Sequence, residues 1–519
     1  MATAARPLPD LLERLAAILG ADLLTDEADR RFAGTDVFAA GEIPLAVARP
    51  RSVEALQAVV AACAETGTPV AVRGGGASYT DGYTHARAGG ITLDMSGLKR
   101  IEVNATNGVV TAEAGVTWAE LRDALLPHGL RTPFFGPFSG LAATVGGSMS
   151  QHSISHGTGI WGVSADSLVG LDVVTGTGAL LSTGAPHFRH YGPDLAGLFT
   201  GDCGALGVKA RVRLRLLRRR EHFAAASFSL GDFAAMHAAM REVGLEALDD
   251  ENFGLDATLQ QGQIGRNAGV AQKAEIARQV MKGAGSLGAG VKALAKMAAA
   301  GDRALRQASF AVHYIAEGVS PREAEDRVAR IAAIFAAHGA ERIPETVPTV
   351  VRSMPFAPLT NVVGPGGERW VPFHAILAHD AVGPFHAALE AYFAANAAVM
   401  EEHRITSGRM FMAIQGHGFV YEPTFYWPDC QTIYHERTLP PEHQKTIAHF
   451  PENLAARAEV KRMKAEIIDL MAAHGAAHFQ VGRVYPWAAS RDAASLALVR
   501  ALKRELDPHG ILSPGALGL

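Results

Sequence analysis

Val70-Ala71-Val72 reads as a short buried strand that runs directly into Arg73-Gly74-Gly75-Gly76-Ala77-Ser78, and successive glycines at that place restrict what the strand can lead to. Glycines in a row let the backbone take positive φ and approach a ligand closely, and several inward N–H groups make a nest for a pyrophosphate. Arg73 adds charge to the same loop. A tight turn between two strands is the plainer use of such a stretch. The dinucleotide unit of a doubly wound sheet is not indicated, because Thr80-Asp81-Gly82-Tyr83 prolongs the loop where that unit would open a long apolar helix.

Around the loop, helical and strand-like stretches alternate from a helix at Leu8–Leu19 to about Arg220, which predicts an α+β domain. Ala46–Pro50 reads as a strand end, Ser52 as an N-cap, Val53–Thr66 as a helix, and Gly67 as its stop. The 519 residues exceed one compact core, so two domains are expected. At 48% hydrophobic and 19% charged the composition is that of a globular chain. A net charge of −4 argues against nucleic acid as a partner. Cys63, Cys203 and Cys430 are few and far apart, so neither a disulfide framework nor a zinc site is expected and a cytoplasmic setting is natural. No stretch has the length and apolarity of a signal peptide or membrane span.

Four blocks then follow in order: PVAVRGGGASYTDGY, ITLDMSGLKRIEV, VTAEAGVTWAELRDAL and GLAATVGGSMSQHSISHGTGIWG. Together with the glycine-bearing turn Leu198–Val208 and the closing segment Asp507–Gly515, they resemble the vanillyl-alcohol oxidase and p-cresol methylhydroxylase superfamily of FAD-dependent oxidoreductases. That resemblance implies a two-subdomain FAD-binding domain of the cresol-methylhydroxylase type at 1–220, an α+β substrate cap at 221–455, and a C-terminal segment, 456–519, returning to the FAD domain. It implies that Arg73, Gly74, Gly75, Gly76, Ala77, Ser78 and Tyr79 wrap the pyrophosphate. Thr144, Gly146, Gly147, Ser150, Gln151 and His152 would line the ribityl chain and ring system, with Trp161, Gly162, Gly207 and Val208 completing the site. Where members that bind FAD covalently have a loop histidine, this chain has Ala77, so noncovalent FAD is expected.

The middle of the chain is expected to form the cap, with long helices near Pro321–His338 and Gly383–Glu401. Its stretch 266–307 carries Lys273, Lys282, Lys292, Lys296, Arg303 and Arg306, which suits a solvated face or a loop and limits membrane contact to the peripheral kind. Arg369–Leu377 and Arg409–Trp427 resemble paired cap strands facing the flavin, and Trp370, Phe373, Phe419, Tyr421 and Tyr426 suggest an apolar substrate wall.

Flavin-dependent oxidation needs a proton acceptor and positive charge near the ring, and the candidates are His374 and His417 as acceptors, Tyr421 and Tyr485 to orient or deprotonate a hydroxyl, and Arg483 as the cation. By register with relatives that attach FAD through the cap, Tyr421 and the nearby His417 are also the candidate attachment residues. The paired-histidine motif of the related 2-hydroxy-acid dehydrogenases is absent, so no metal is expected. The expected reaction is oxidation of an aromatic or otherwise apolar alcohol to an aldehyde or ketone. The rivals are a 2-hydroxy-acid dehydrogenase using Arg369, Arg404 and Arg409 to hold a carboxylate, and a flavin-carrying electron-transfer subunit. Expected partners are a small-molecule substrate and either oxygen or an electron-acceptor protein, with a homodimer left open.

Overall fold

The computed structural model describes residues 8–184, 187–260, 278 and 308–519. The basic stretch 266–307 therefore lies outside the described residues, apart from Arg278.

Two sheets build the N-terminal half. The first has the strand order Leu23–Leu24, Ala46–Ala48, Ile91–Asp94, Val70–Arg73, with its last three strands parallel. The helix Val53–Thr66 connects two of them: Ser52 accepts from Ala55 N at its start, and Gly67, at φ 64°, closes it in the left-handed conformation that glycine tolerates. A second, antiparallel sheet runs Ile101–Asn104, Val109–Glu113, Val208–Arg215, Leu168–Val174, Leu180–Ser182. The two sheets bury separate cores, one around Leu56, Val59, Ile91 and Leu93, the other around Trp118, Phe134, Leu171 and Val212.

Residues 341–343, 222–230, 310–318, 251–256, 406–414, 418–427 and 369–372 pair in that order as one large sheet, with Ala375–Leu377 on the strand Gly418–Trp427. Thr406–Ile414 and Gly418–Trp427 form a hairpin whose turn, Gln415-Gly416-His417, interrupts what the sequence suggests is one continuous run. That turn sets the phase of the alternation: Phe419, Tyr421, Phe425 and Trp427 enter the outer core with Phe233, Phe385 and Met463. Val420 instead packs on the inner face with Phe253, Leu255, Met412 and Ile414, against Ile154 and Phe479.

The helix Leu454–Ala473 buries Ala456, Val460, Met463, Ile467 and Met471 in the same outer core, so residues 456–473 pack with that large sheet. The crossing comes afterwards, where Gln480 N donates to Gln151 O (2.8 Å) and Arg483 N to Thr80 O (3.1 Å). Finally Val70 N donates to Ile511 O (2.8 Å) and Ser513 N to Val70 O (2.7 Å), placing residues 511–513 beside the strand that feeds the glycine loop.

Candidate cofactor cleft and the acid-base group beside it

A cleft lies between the two N-terminal sheets, with Phe479 and Gln480 in its lining. One wall is Gly74 to Ser78, another is Thr144 to Gln151, and a third is the turn Cys203–Gly207 with Lys209. Asp202 shapes that third wall by accepting from Gly204 N (3.1 Å) and Leu206 N (3.2 Å) while ion-pairing with Lys209. Thr144 shapes the second, its Oγ1 capping the helix Val145–Gln151 through Gly147 N at 3.2 Å.

The glycines are required by packing against protein as well as by any ligand. A Cβ on Gly75 would run into the Ala142 carbonyl, and one on Gly146 would press on Ala114 Cβ at 2.5 Å. Within the loop only Gly76 has positive φ, 67°, so one of the three glycines uses the left-handed conformation that the run permits. Among the described residues the N–H groups of Gly75, Gly76 and Ala77 meet no backbone acceptor. Donors free in a close-approach loop fit a phosphate-bearing cofactor.

Of the residues expected at the cofactor, Gly74, Gly75, Gly76, Ala77, Ser78, Thr144, Gly146, Gly147, Ser150, Gln151 and Gly207 line the cleft. The others stand outside its lining. Arg73 lies behind the loop, its guanidinium 4.5 Å over the Phe32 ring and 5.5 Å over Tyr83, and a Cβ on Gly76 would strike it. His152, at φ 51°, packs its ring against Gly201. Trp161 lies under the Arg215 guanidinium at 5.4 Å, Gly162 abuts Asp166, and Val208 is buried in the first core. Tyr79 turns its ring toward the large sheet, against Trp370 and His374.

That turn of Tyr79 exposes the feature sequence reasoning missed. Its hydroxyl donates to Glu422 Oε2 across 3.4 Å and also meets the Gln480 amide, which lines the cleft. Gln480 has φ 48°, a strained value for a residue with a Cβ, and its Oε1 is buried without a protein partner. Burial pushes the Glu422 carboxyl up to about 7. Behind it, His374 is fully buried and stacked on Phe479 with ring centroids 3.5 Å apart. His374 Nε2 donates to Phe479 O at 2.5 Å, so Nδ1 is the acceptor nitrogen and faces Tyr485 Oη at 3.3 Å and Glu422 Oε2 at 3.9 Å. Burial holds this imidazole well below its ordinary value, and it stays neutral. Tyr485 Oη accepts from His374 N (2.8 Å) and its ring stacks on His478. Lys464 closes the group from the helix side, donating to Tyr79 O at 3.4 Å, with burial lowering its amine to about 8.

The remaining catalytic candidates are placed elsewhere. His417 is exposed on the hairpin turn. Tyr421 is buried on the outer face and shares a hydrogen bond with His386 Nδ1 at 2.8 Å, because its register puts it opposite to Glu422. Arg483 ion-pairs with Asp81 (2.9 Å) and donates to Thr84 O (2.5 Å), pinning the loop that follows the glycines. The expected aromatic wall divides likewise: Phe373, Phe419 and Tyr421 are in the outer core, while Trp370 meets Tyr79. Arg369 is buried against the Val37, Phe38 and Cys430 carbonyls, Arg409 pairs with Asp256 and Glu390, and Arg404 is exposed. Among the described residues no group of three or more His, Cys, Asp or Glu is arranged to hold a metal ion, and no helix is long and apolar enough to cross a membrane.

Residues 44–184 match the family described as "FAD binding domain". The chain is 32% identical over 218 residues to a mitochondrial D-lactate dehydrogenase [cytochrome] of Arabidopsis thaliana, covering 41% of this chain and 38% of that protein. It is 28% identical over 242 residues to an uncharacterized FAD-linked oxidoreductase of Mycobacterium tuberculosis (strain ATCC 25618 / H37Rv), covering 46% and 52%. The matches thus span between 38% and 52% of the length of these two relatives. The solved structure of p-cresol methylhydroxylase with substrate bound superposes with a TM-score of 0.72 at 16% identity, over 99% of this chain and 98% of that one, which shows the shared fold.

Proposed function

We propose that this chain, whose residues 44–184 are an FAD binding domain, is an FAD-dependent oxidoreductase that oxidises an uncharged alcohol to an aldehyde or ketone. The observation that carries the reading is the Tyr79–Glu422 contact, reached from the cleft through Gln480. Bound FAD supplies the acceptor for the hydride that leaves the substrate carbon. The chain's own share is the proton. A carboxyl poised near 7 takes the hydroxyl proton as the carbonyl forms, since a base works best when its pKa lies near the working pH. Tyr79 orients that carboxyl. His374 cannot charge in its buried setting, so it fixes Tyr485 and Phe479 and takes no proton.

The free loop N–H groups would hold the pyrophosphate and Gly146, Gly147, Ser150 and Gln151 the rest of the cofactor, without a covalent bond, since Ala77 offers no nucleophile and Tyr421 faces away. Ile154 and Phe479 add apolar surface to the cleft, and of the arginines suited to a carboxylate Arg369 and Arg409 are engaged elsewhere while Arg404 is exposed. The relative named as a D-lactate dehydrogenase favours a second reading, a 2-hydroxy acid as substrate. Anaerobic mixing of the FAD-loaded protein with aromatic alcohols, phenols and 2-hydroxy acids separates the two: bleaching of the flavin by uncharged alcohols alone is expected, and bleaching only by hydroxy acids overturns the alcohol reading. Electrons would pass on to oxygen or to an electron-acceptor protein.

A further inference from the structure

Behind the cleft wall made by Pro137, Ser139, Ser153 and Ile154, the His156 ring is fully buried among Phe135 (stacked, 5.1 Å), Phe138 (4.9 Å) and Phe356 (5.8 Å). Its two nitrogens leave this cage in opposite directions. Nε2 meets Pro355 O at 2.7 Å, and a carbonyl only accepts, so that nitrogen carries a proton. Nδ1 meets Glu251 Oε2 at 2.6 Å on the inner face of the cap sheet. Burial alone would raise the Glu251 carboxyl, yet His156, with Arg352 and Arg131 behind it, holds it below the ordinary range. His156 thus ties the aromatic cage to the cap sheet through a short side-chain hydrogen bond.

The backbone around His156 is joined to the cleft wall. His156 N donates to Gly136 O and Phe135 N to His156 O, each at 3.1 Å, tying the strip that bears Pro137 and Ser139 to the strip that bears Ser153 and Ile154. Ser155 between them sits at φ 141°, a conformation disfavoured for a residue with a Cβ, and its Oγ is buried with no partner. The His156–Glu251 contact is one of the restraints on this segment, beside Ser155 N donating to Thr158 Oγ1 (2.8 Å) and Gly159 N to Asp250 O (3.3 Å).

We infer that His156, through its hydrogen bond with Glu251, is a positioning residue by which the cap sets the shape of the cofactor cleft. The inference rests on the reading of that cleft as the FAD site. Removing either partner lets the strained segment relax, so FAD should bind more weakly although neither side chain lines the cleft.

The test compares wild-type protein with His156→Gln, Glu251→Gln and the double variant, reading the FAD dissociation constant by fluorescence, the midpoint potential of the bound flavin and the thermal midpoint. Each single variant is expected to weaken FAD about tenfold, a usual size for coupling between sites, with the double no worse than the poorer single. A shifted potential is expected with it. FAD affinity and potential within twofold of wild type in folded variants overturns the inference, even if the thermal midpoint falls, because a purely structural pair would behave that way. Should H156Q not fold, E251Q keeps a hydrogen-bonding group opposite the ring and decides the matter. Wild-type protein that takes up no FAD would instead overturn the cofactor reading itself, and the inference with it.

Discussion

The Tyr79 hydroxyl and the Glu422 carboxylate meet at 3.4 Å although 343 positions separate them, so the glycine loop and the large sheet share a part-buried acid-base contact. Glu422→Gln should keep its FAD and slow anaerobic flavin reduction by a factor of about 10² to 10⁴, the usual worth of a positioned base. In the wild type the rate should rise with pH through about 7, where the carboxyl gives up its proton. A flat profile in wild type, or normal reduction in the variant, removes Glu422 from the chemistry.

The same group makes stability depend on pH. Its folded value, about 7, lies above the ordinary 4.5, so the protonated form is the one folding favours. The contribution is full below 4.5, declines as pH rises, and is gone above about 7. Thermal midpoints of wild type should fall more between pH 5 and pH 8 than those of Glu422→Gln, which has no such proton to lose; equal slopes would contradict this.

Gly75→Ala should strip the protein of FAD and lower its stability by several kcal/mol, because the added carbon meets the Ala142 carbonyl, a backbone atom with no rotamer to escape into. Gly76→Ala should be milder, about 1–2 kcal/mol for a left-handed residue, plus displacement of the Arg73 guanidinium. Thermal midpoints and flavin content of the two variants check the order; a milder Gly75 variant would be inconsistent with the loop geometry.

Arg483→Met should lose roughly 1.5–3 kcal/mol of stability, the worth of hydrogen bonds to a charged group, through its contacts with Asp81 and Thr84. Flavin reduction per bound FAD should be unchanged. Slow reduction with an unchanged thermal midpoint would return Arg483 to the chemistry.

Tyr421→Phe should leave the flavin spectrum and reduction rate as they are and cost about 1 kcal/mol for the lost hydrogen bond to His386. Acid denaturation of wild-type protein should likewise release its FAD. Flavin left on the precipitated chain in wild type but not in this variant would place the attachment at Tyr421.

What was legible in the sequence is local. The strand, glycine loop and the capped helix Val53–Thr66 are spelled by residues next to one another, and Ser52 and Gly67 do what their types suggest. The acid-base group was harder because it depends on which side of a strand a residue faces. Counting alternate positions from the buried Phe419, Tyr421, Phe425 and Trp427 does put Glu422 on the other face, so a signal existed, but the hairpin turn at Gln415–His417 had to be found first. Arg483 was unreadable for another reason: its partners, Asp81 and Thr84, lie on a distant part of the chain, and nothing near Arg483 announces an ion pair.

The pairing of Val70 with residues 511–513 gives the cofactor cleft a timetable. The strand that delivers the glycine loop gains one of its neighbours only after residues 511–513 have been made, and closing so long a span is slow. Until then the loop-bearing strand has one edge unpaired. FAD capture becomes a late event in the life of each molecule, and a nascent chain halted short of Ile511 should be colourless however well its first two hundred or so residues have begun to fold.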